Sequence, residues 1–120
     1  MDKVIEFYIM KEDKRIAFFV CNICDDSVET YIEPDLNFID VSFVPKIRNI
    51  EELNDWFETR IAPRSRFDIR LLLEELDISI YHPYYLVKKS QGAMFEDNYW
   101  IKFLGEQLTW NDVNPRIRKW

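Results

Sequence analysis

The sequence predicts an α+β fold, with a small N-terminal antiparallel sheet of three or four strands (about residues 1–45) followed by a cluster of three short helices (about residues 46–120). Two observations carry this reading. Runs of β-branched and aromatic residues dominate the first third of the chain, and after Pro45 the hydrophobic pattern changes to the period of about 3.6 that marks amphipathic helices. The 120 residues, 48% apolar and 16% aromatic with only two Gly, fit one domain and exclude disorder and low-complexity linkers. Two loosely joined subdomains divided near Pro45 are the alternative.

Each element has a local cause. Val4–Met10 and Arg15–Cys21 read as two strands, with Lys11-Glu12-Asp13-Lys14 as a four-residue type I hairpin connection. The run Phe18-Phe19-Val20 places the second strand at the sheet centre or covers it on both faces. A third strand covers Val28–Ile32 and stops before Pro34, because proline cannot continue a ladder. Phe38, Val41, Phe43 and Val44 read as a further strand or an irregular segment. Asn49 with Glu52 resembles a capping box, and Leu53, Trp56, Phe57 and Arg60/Ile61 give the first helix its stripe, which Pro63 ends. Ser65 with Asp68 opens a second helix, whose stripe is Ile69, Leu72, Leu73 and Leu76 and on which Arg66 and Arg70 share a face. Ser79–Ser90 forms the third, with Pro83 in its first turn and Gly92 as the left-handed residue that ends it. Aromatics return in the tail at Phe95, Tyr99, Trp100, Trp110 and Trp120.

Charge is uneven. Residues 1–60 hold seven Lys/Arg against fourteen Asp/Glu, and residues 61–120 hold nine against eight. Between Ile16 and Pro45 there is no Lys or Arg, while Asp25, Asp26, Glu29, Glu33, Asp35 and Asp40 all fall there. Such a surface repels nucleic acid and anionic membranes and favours basic partners; a merely solvating sheet face is the other reading. No apolar run nears the roughly 20 residues of a membrane span, and the first residues lack a signal-peptide pattern, so a cytoplasmic protein is expected.

The residues that could carry chemistry are few. Cys21-x-x-Cys24 is half of a zinc site at most and lies at a strand end in an acidic turn, which disfavours a redox thiolate. His82 stands alone, with no nucleophile elbow, and no Gly-rich phosphate loop or kinase signature is present. The expectation is no catalytic residue, no metal and no cofactor. Arg60, Arg64, Arg66 and Arg70 flank Pro63, suited to a partner's carboxylates or to pairing within the chain. The aromatics of Asp97–Ile101 and Leu108–Asn114 suit either an interface or core and turn duty.

Three spaced motifs, Leu53-x-x-Trp56-x-x-x-Arg60-x-x-Pro63-x-x-Arg66, Asp97-x-Tyr99-Trp100-Ile101 and Leu108-x-Trp110-x-Asp112-Val113-Asn114, make residues 49–114 resemble the leading segment of HipA-like kinase-related proteins. They also resemble small uncharacterised proteins of bacterial mobile elements, especially in Firmicutes. In the kinases a catalytic domain follows the Asp-Val-Asn element, whereas Pro115–Trp120 carry no such machinery. The resemblance therefore implies a non-enzymatic module that binds and regulates a protein partner, such as a HipA-like kinase, in the manner of toxin–antitoxin systems. On this reading Arg64, Arg66, Tyr99, Trp100 and Trp110 contact the partner. The alternative is an acidic inhibitor of a nucleic-acid-binding host enzyme, of the anti-CRISPR or DNA-mimic kind, acting through Asp25, Asp26, Glu29, Glu33 and Asp35. Neither reading involves direct nucleic-acid or membrane binding.

Overall fold

The computed structural model describes residues 4–116, so Trp120 lies outside the described residues. The architecture is α+β. Strands β1 (Val4–Lys11), β2 (Lys14–Asn22) and β3 (Ser27–Ile32) follow one another, and β4 (Tyr99–Phe103) joins from the far end of the chain. They form one antiparallel sheet in the order β3-β2-β1-β4. The fourth strand thus comes from the second half of the sequence, so both halves meet in one sheet. β2 lies inside the sheet, as its unbroken apolar run predicts.

The hairpin is tighter than the expected four-residue connection. The pairing runs on to Lys11 and Lys14, leaving Glu12 and Asp13 as the turn, with Glu12 at φ +52. Four bonds to the C-terminal half fix this turn, one of them from Asn98 Nδ2 to Glu12 Oε2 (3.3 Å). Glu12 N–H donates to the Asn98 carbonyl (2.9 Å), Trp100 Nε1 donates to the Glu12 carbonyl (2.7 Å), and Trp110 N–H donates to Asp13 Oδ1 (2.8 Å). In β2, Ile9 faces Ala17 while Met10 faces Arg15, so Ile16 is the extra residue of a bulge. Ile16 and Ala17 are accordingly both buried despite being neighbours.

One sheet face carries Ile5, Phe7, Ile9, Ala17, Phe19, Cys21, Ile101 and Phe103, all buried. Phe7 stacks on Phe19 with ring centres 5.1 Å apart. Covering this face are α2 (Ile50–Glu58), through Leu53 and Phe57, and α4 (Pro83–Ser90), through Val87. Against the opposite face lies α5 (Trp110–Val113), which buries Trp110 and Val113 on Met10 and Trp100.

α2 begins where its Asn49 cap predicts, whereas the next two helices begin later than their spacing suggests. α4 starts at Pro83 rather than Ser79, because proline pre-sets the φ of a first helical residue. α3 (Ile69–Glu75) starts after Arg66, which removes the shared helical face expected for Arg66 and Arg70. None of its residues is fully buried, so it is a peripheral element. α4 ends on two left-handed residues, Gln91 and Gly92, rather than on Gly92 alone. A side chain at Gly92 would come within 2.9 Å of Ile101, so β4 requires glycine there for close approach as well as for φ. Residues 38–43 are neither strand nor irregular: they form a helix, α1 (Phe38–Phe43), and with α5 they bring the helices to five among the described residues.

Candidate functional site

α1 is built inside out. Asn37 precedes it and accepts the backbone N–H of Asp40 (2.8 Å), satisfying a donor that the first turn leaves open. Asp40 then points into the protein and is 1% exposed. Its Oδ1 accepts from the Tyr99 hydroxyl (2.8 Å) and from Lys11 Nζ (3.2 Å), and Lys14 Nζ lies 3.8 Å from Oδ2. The Tyr99 hydrogen bond, helped by the two lysines, holds the Asp40 carboxyl below the usual carboxylate range. Burial, together with the Asp40 carboxylate, pushes the Tyr99 phenol up to about 12. One turn on, the Phe43 ring stacks on Tyr99 at 3.7 Å between centres. Asp40 and Phe43 thus take the inward face, and the apolar side chains on the other face have nowhere to go but out. Phe38 is 86% exposed, Ile39 68% and Val41 44%.

Before this helix in the chain, across the link of residues 33–37, the sheet has an open edge. β3 pairs only with β2, and the Glu33 N–H donates back to the Ile16 carbonyl (3.0 Å). By the alternation of antiparallel ladders, the N–H and C=O groups of Ser27, Glu29 and Tyr31 also turn toward β2. Those of Val28, Thr30 and Ile32 turn away from it. Tyr31 and Ile32 are both more than half exposed.

The five acidic residues singled out by sequence are all exposed but divide into two groups. Asp25 and Asp26 sit in the β2–β3 turn, where they accept from Asn22 Nδ2 (3.3 Å) and from the Ile50 N–H (2.9 Å), the latter fastening the turn to α2. Glu29, Glu33 and Asp35 belong to the open edge and the link to α1. Glu29 accepts from the Tyr31 hydroxyl (2.7 Å), whose pKa it raises. Glu33 and Asp35 hold no side-chain partner among the described residues.

The aromatic anchors expected at an interface are interior. Trp100 is 1% exposed, and Tyr99 and Trp110 are buried with it, so core duty replaces the expected surface role. The short polar residues around them are caps: the Thr109 N–H and hydroxyl both donate to Asp112, closing a capping box on α5. Arg64 and Arg66 are exposed, Arg64 lying over the Tyr81 ring (4.8 Å) and Arg66 paired with Asp68. Arg60 is different. It is buried, grips both Asp97 oxygens (2.7 and 2.9 Å), and donates to the Gly92 and Tyr99 carbonyls (3.0 and 2.7 Å). Its pairing is internal, and its partner belongs to the second half of the chain rather than to the acidic sheet. Sequence reasoning missed Phe38 and Ile39 as surface groups. The signal was present in the Asn37-x-x-Asp40 cap spacing, followed by apolar residues that the buried carboxylate forces outward.

Groups with reactive chemistry stand apart from one another. Burial pushes the Cys21 thiol up to about 12, so burial rather than the acidic turn is the cause that opposes ionisation. Cys24 is exposed. No group of three His, Cys, Asp or Glu could hold a metal ion among the described residues. His82, expected to cap or flank the third helix, takes the N-cap position of α4 without a side-chain capping bond. It lines a cleft of about 310 Å³ with Ile5, Ile23, Ile50, Asn54 and two tyrosines, and no acid or thiol shares that lining. No helix is long and apolar enough to cross a membrane among the described residues. Set against family models, curated proteins and solved structures, the chain matches none of them.

Proposed function

We propose that this chain is a non-catalytic protein-binding module whose contact surface is the outward face of α1 together with the open β3 edge that precedes it in the chain. The observation that carries the reading is the inverted polarity of α1, with a carboxylate inside and Phe38, Ile39 and Val41 in water. Leaving large apolar groups in solvent forgoes roughly 1.5–3 kcal/mol per side chain that burial would supply. Other large apolar side chains are exposed as well, Phe67 most of all; what distinguishes α1 is that three of them gather on one short helix whose inward face holds a buried carboxylate. Three of the titratable groups with displaced pKa values, Asp40, Asp97 and Tyr99, are engaged in internal hydrogen bonds, which supports a structural use for them.

Of the two partner classes, a basic, nucleic-acid-binding protein fits the exposed acids on this side. A HipA-like kinase is the partner that the sequence resemblance suggests; Arg64 and Arg66 are the residues of that reading that remain at the surface. The test is capture from the native host by wild-type protein and by the Phe38→Asp/Ile39→Asp variant, with circular dichroism verifying the fold. The expected result is a partner retained by wild type and lost by the variant. Equal retention by both, or none by either, overturns the reading.

A further inference from the structure

The same surface specifies the form of what binds it. We infer that the outer edge of β3 receives an extended, Lys/Arg-bearing segment of the partner as a fifth strand, a claim that rests on the protein-binding reading above. Three observations converge. The Val28, Thr30 and Ile32 backbone groups point away from β2 and have no partner strand among the described residues, and a row of such unpaired donors and acceptors is a template for strand addition. A short acidic link, residues 33–37, joins this edge in the chain to α1 with its exposed Phe38 and Ile39. The charge of the edge strand and its link has one sign: Glu29, Glu33 and Asp35 are exposed, and no Lys or Arg occurs from Ile16 to Pro45.

Charge also decides between occupants. A second copy of this chain, paired edge to edge about a two-fold axis, would set this acidic row against itself, and like charges opposed across a ladder destabilise it. A basic strand instead meets three carboxylates, two of which lack a side-chain partner among the described residues. Alternating Lys with β-branched residues satisfies both needs, since successive side chains leave a strand on opposite faces.

The probe is an acetylated, amidated octapeptide alternating Val and Lys, compared with its Val/Glu counterpart and read by amide hydrogen exchange on the whole protein. The Val/Lys peptide should slow exchange at Val28, Thr30 and Ile32, with little change at Glu29 and Tyr31, which already bond to β2. The Val/Glu peptide should bind roughly tenfold more weakly or worse, as loss of three exposed charge pairs implies. N-methylating alternate peptide amides should abolish binding for one parity and spare it for the other, because only one edge of an added strand is paired. Equal effects of the two parities, unchanged exchange at Thr30, or edge protection arising instead from self-association by sedimentation would each overturn the inference. Its failure is separable from that of the broader reading: if the Phe38→Asp/Ile39→Asp variant still loses a captured partner, the binding face stands and the added strand does not.

Discussion

α1 and α2 begin with the same device and end facing opposite ways. In each, an asparagine side chain accepts the backbone N–H three residues on, Asn37 from Asp40 (2.8 Å) and Asn49 from Glu52 (2.9 Å). Yet α2 buries Leu53 and Phe57 while α1 buries Asp40 and leaves Phe38 in water. A cap satisfies a donor at the first turn and carries no information about which side the core is on. Facing is decided by what lies beneath. Under α2 is the Phe7–Phe19 stack, which an aromatic ring extends. Under α1 are two lysines and a tyrosine hydroxyl, where a carboxylate fits and a phenyl group does not.

The sharpest way to break this contrast is to truncate the matching rings. Phe57→Ala removes a fully buried ring 5.4 Å from Phe7 and should cost about 3–5 kcal/mol in urea unfolding. Phe38→Ala should stay within about 0.5 kcal/mol of wild type, because the ring has little contact to lose. Comparable losses at the two positions would mean that α1 is packed as α2 is, and the binding face would disappear.

Each helix is also tied to the rest by one buried charge, and the two ties differ in quality. Arg60, just past the end of α2, has a bidentate carboxylate partner and two carbonyl acceptors. Asp40 in α1 has one oxygen with no hydrogen bond and a lysine at 3.8 Å. Arg60→Ala strands Asp97 and two carbonyls, and should cost about 3 kcal/mol, near the low end for a broken buried pair since Asp97 is partly solvated. Arg60→Lys should recover only a minor part, because a lysine cannot reproduce the fork. Full recovery by lysine in the same denaturation assay would reduce the site to a simple charge contact.

Much of this was legible in sequence, for reasons that also explain what was not. β1, β2, β3 and α2 follow from local pattern: period two or 3.6, a cap, a proline. β4 is a different case. Its pairing with β1 joins Met10 to Trp100 across the length of the chain, and nothing in Tyr99–Phe103 says whether its aromatics cover a core or a partner. Large amphipathic rings serve both, so burial settles what composition leaves open. α1 escaped because periodicity assumes that apolar means inward; where Asp40 takes the interior, the rule assigns the wrong face and the segment reads as a strand. The acidic character of the open edge was plain, but only the sheet order separates Glu29, Glu33 and Asp35 from Asp25 and Asp26.

Acid should loosen the α1 tie. The folded pKa of Asp40 lies below its ordinary value of 3.8, so its stabilisation is complete above that value and is lost as pH falls through the lower folded one. Asp97 shifts the same way, and Glu52 falls to about 2 through its bonds from Arg48, so the whole protein weakens in acid. The informative quantity is the difference between wild type and Asp40→Asn. That variant keeps an acceptor for Tyr99 but loses the charge that Lys11 and Lys14 neutralise. The stability gap between the two proteins should be constant near neutrality and close as pH drops below about 4. A gap that stays open in acid would show that the carboxylate acts by shape and hydrogen bonding rather than by charge.

The smallest effect tests the shared device itself. Asn49→Ala and Asn37→Ala each remove one capping bond, worth about 1 kcal/mol to its own helix. In α2 that loss passes to the core through Leu53 and Phe57, so the urea midpoint should fall with it. In α1 only Asp40 and Phe43 transmit it, and the outward residues contribute no packing that unfolding of the whole must break. Asn37→Ala should therefore appear chiefly as faster amide exchange at Asp40 and Val41, with a smaller change in midpoint than Asn49→Ala gives. If the two midpoints fall equally, α1 unfolds only with the core. The contrast between the helices would then concern side-chain facing alone, and a partner could not gain affinity by ordering α1.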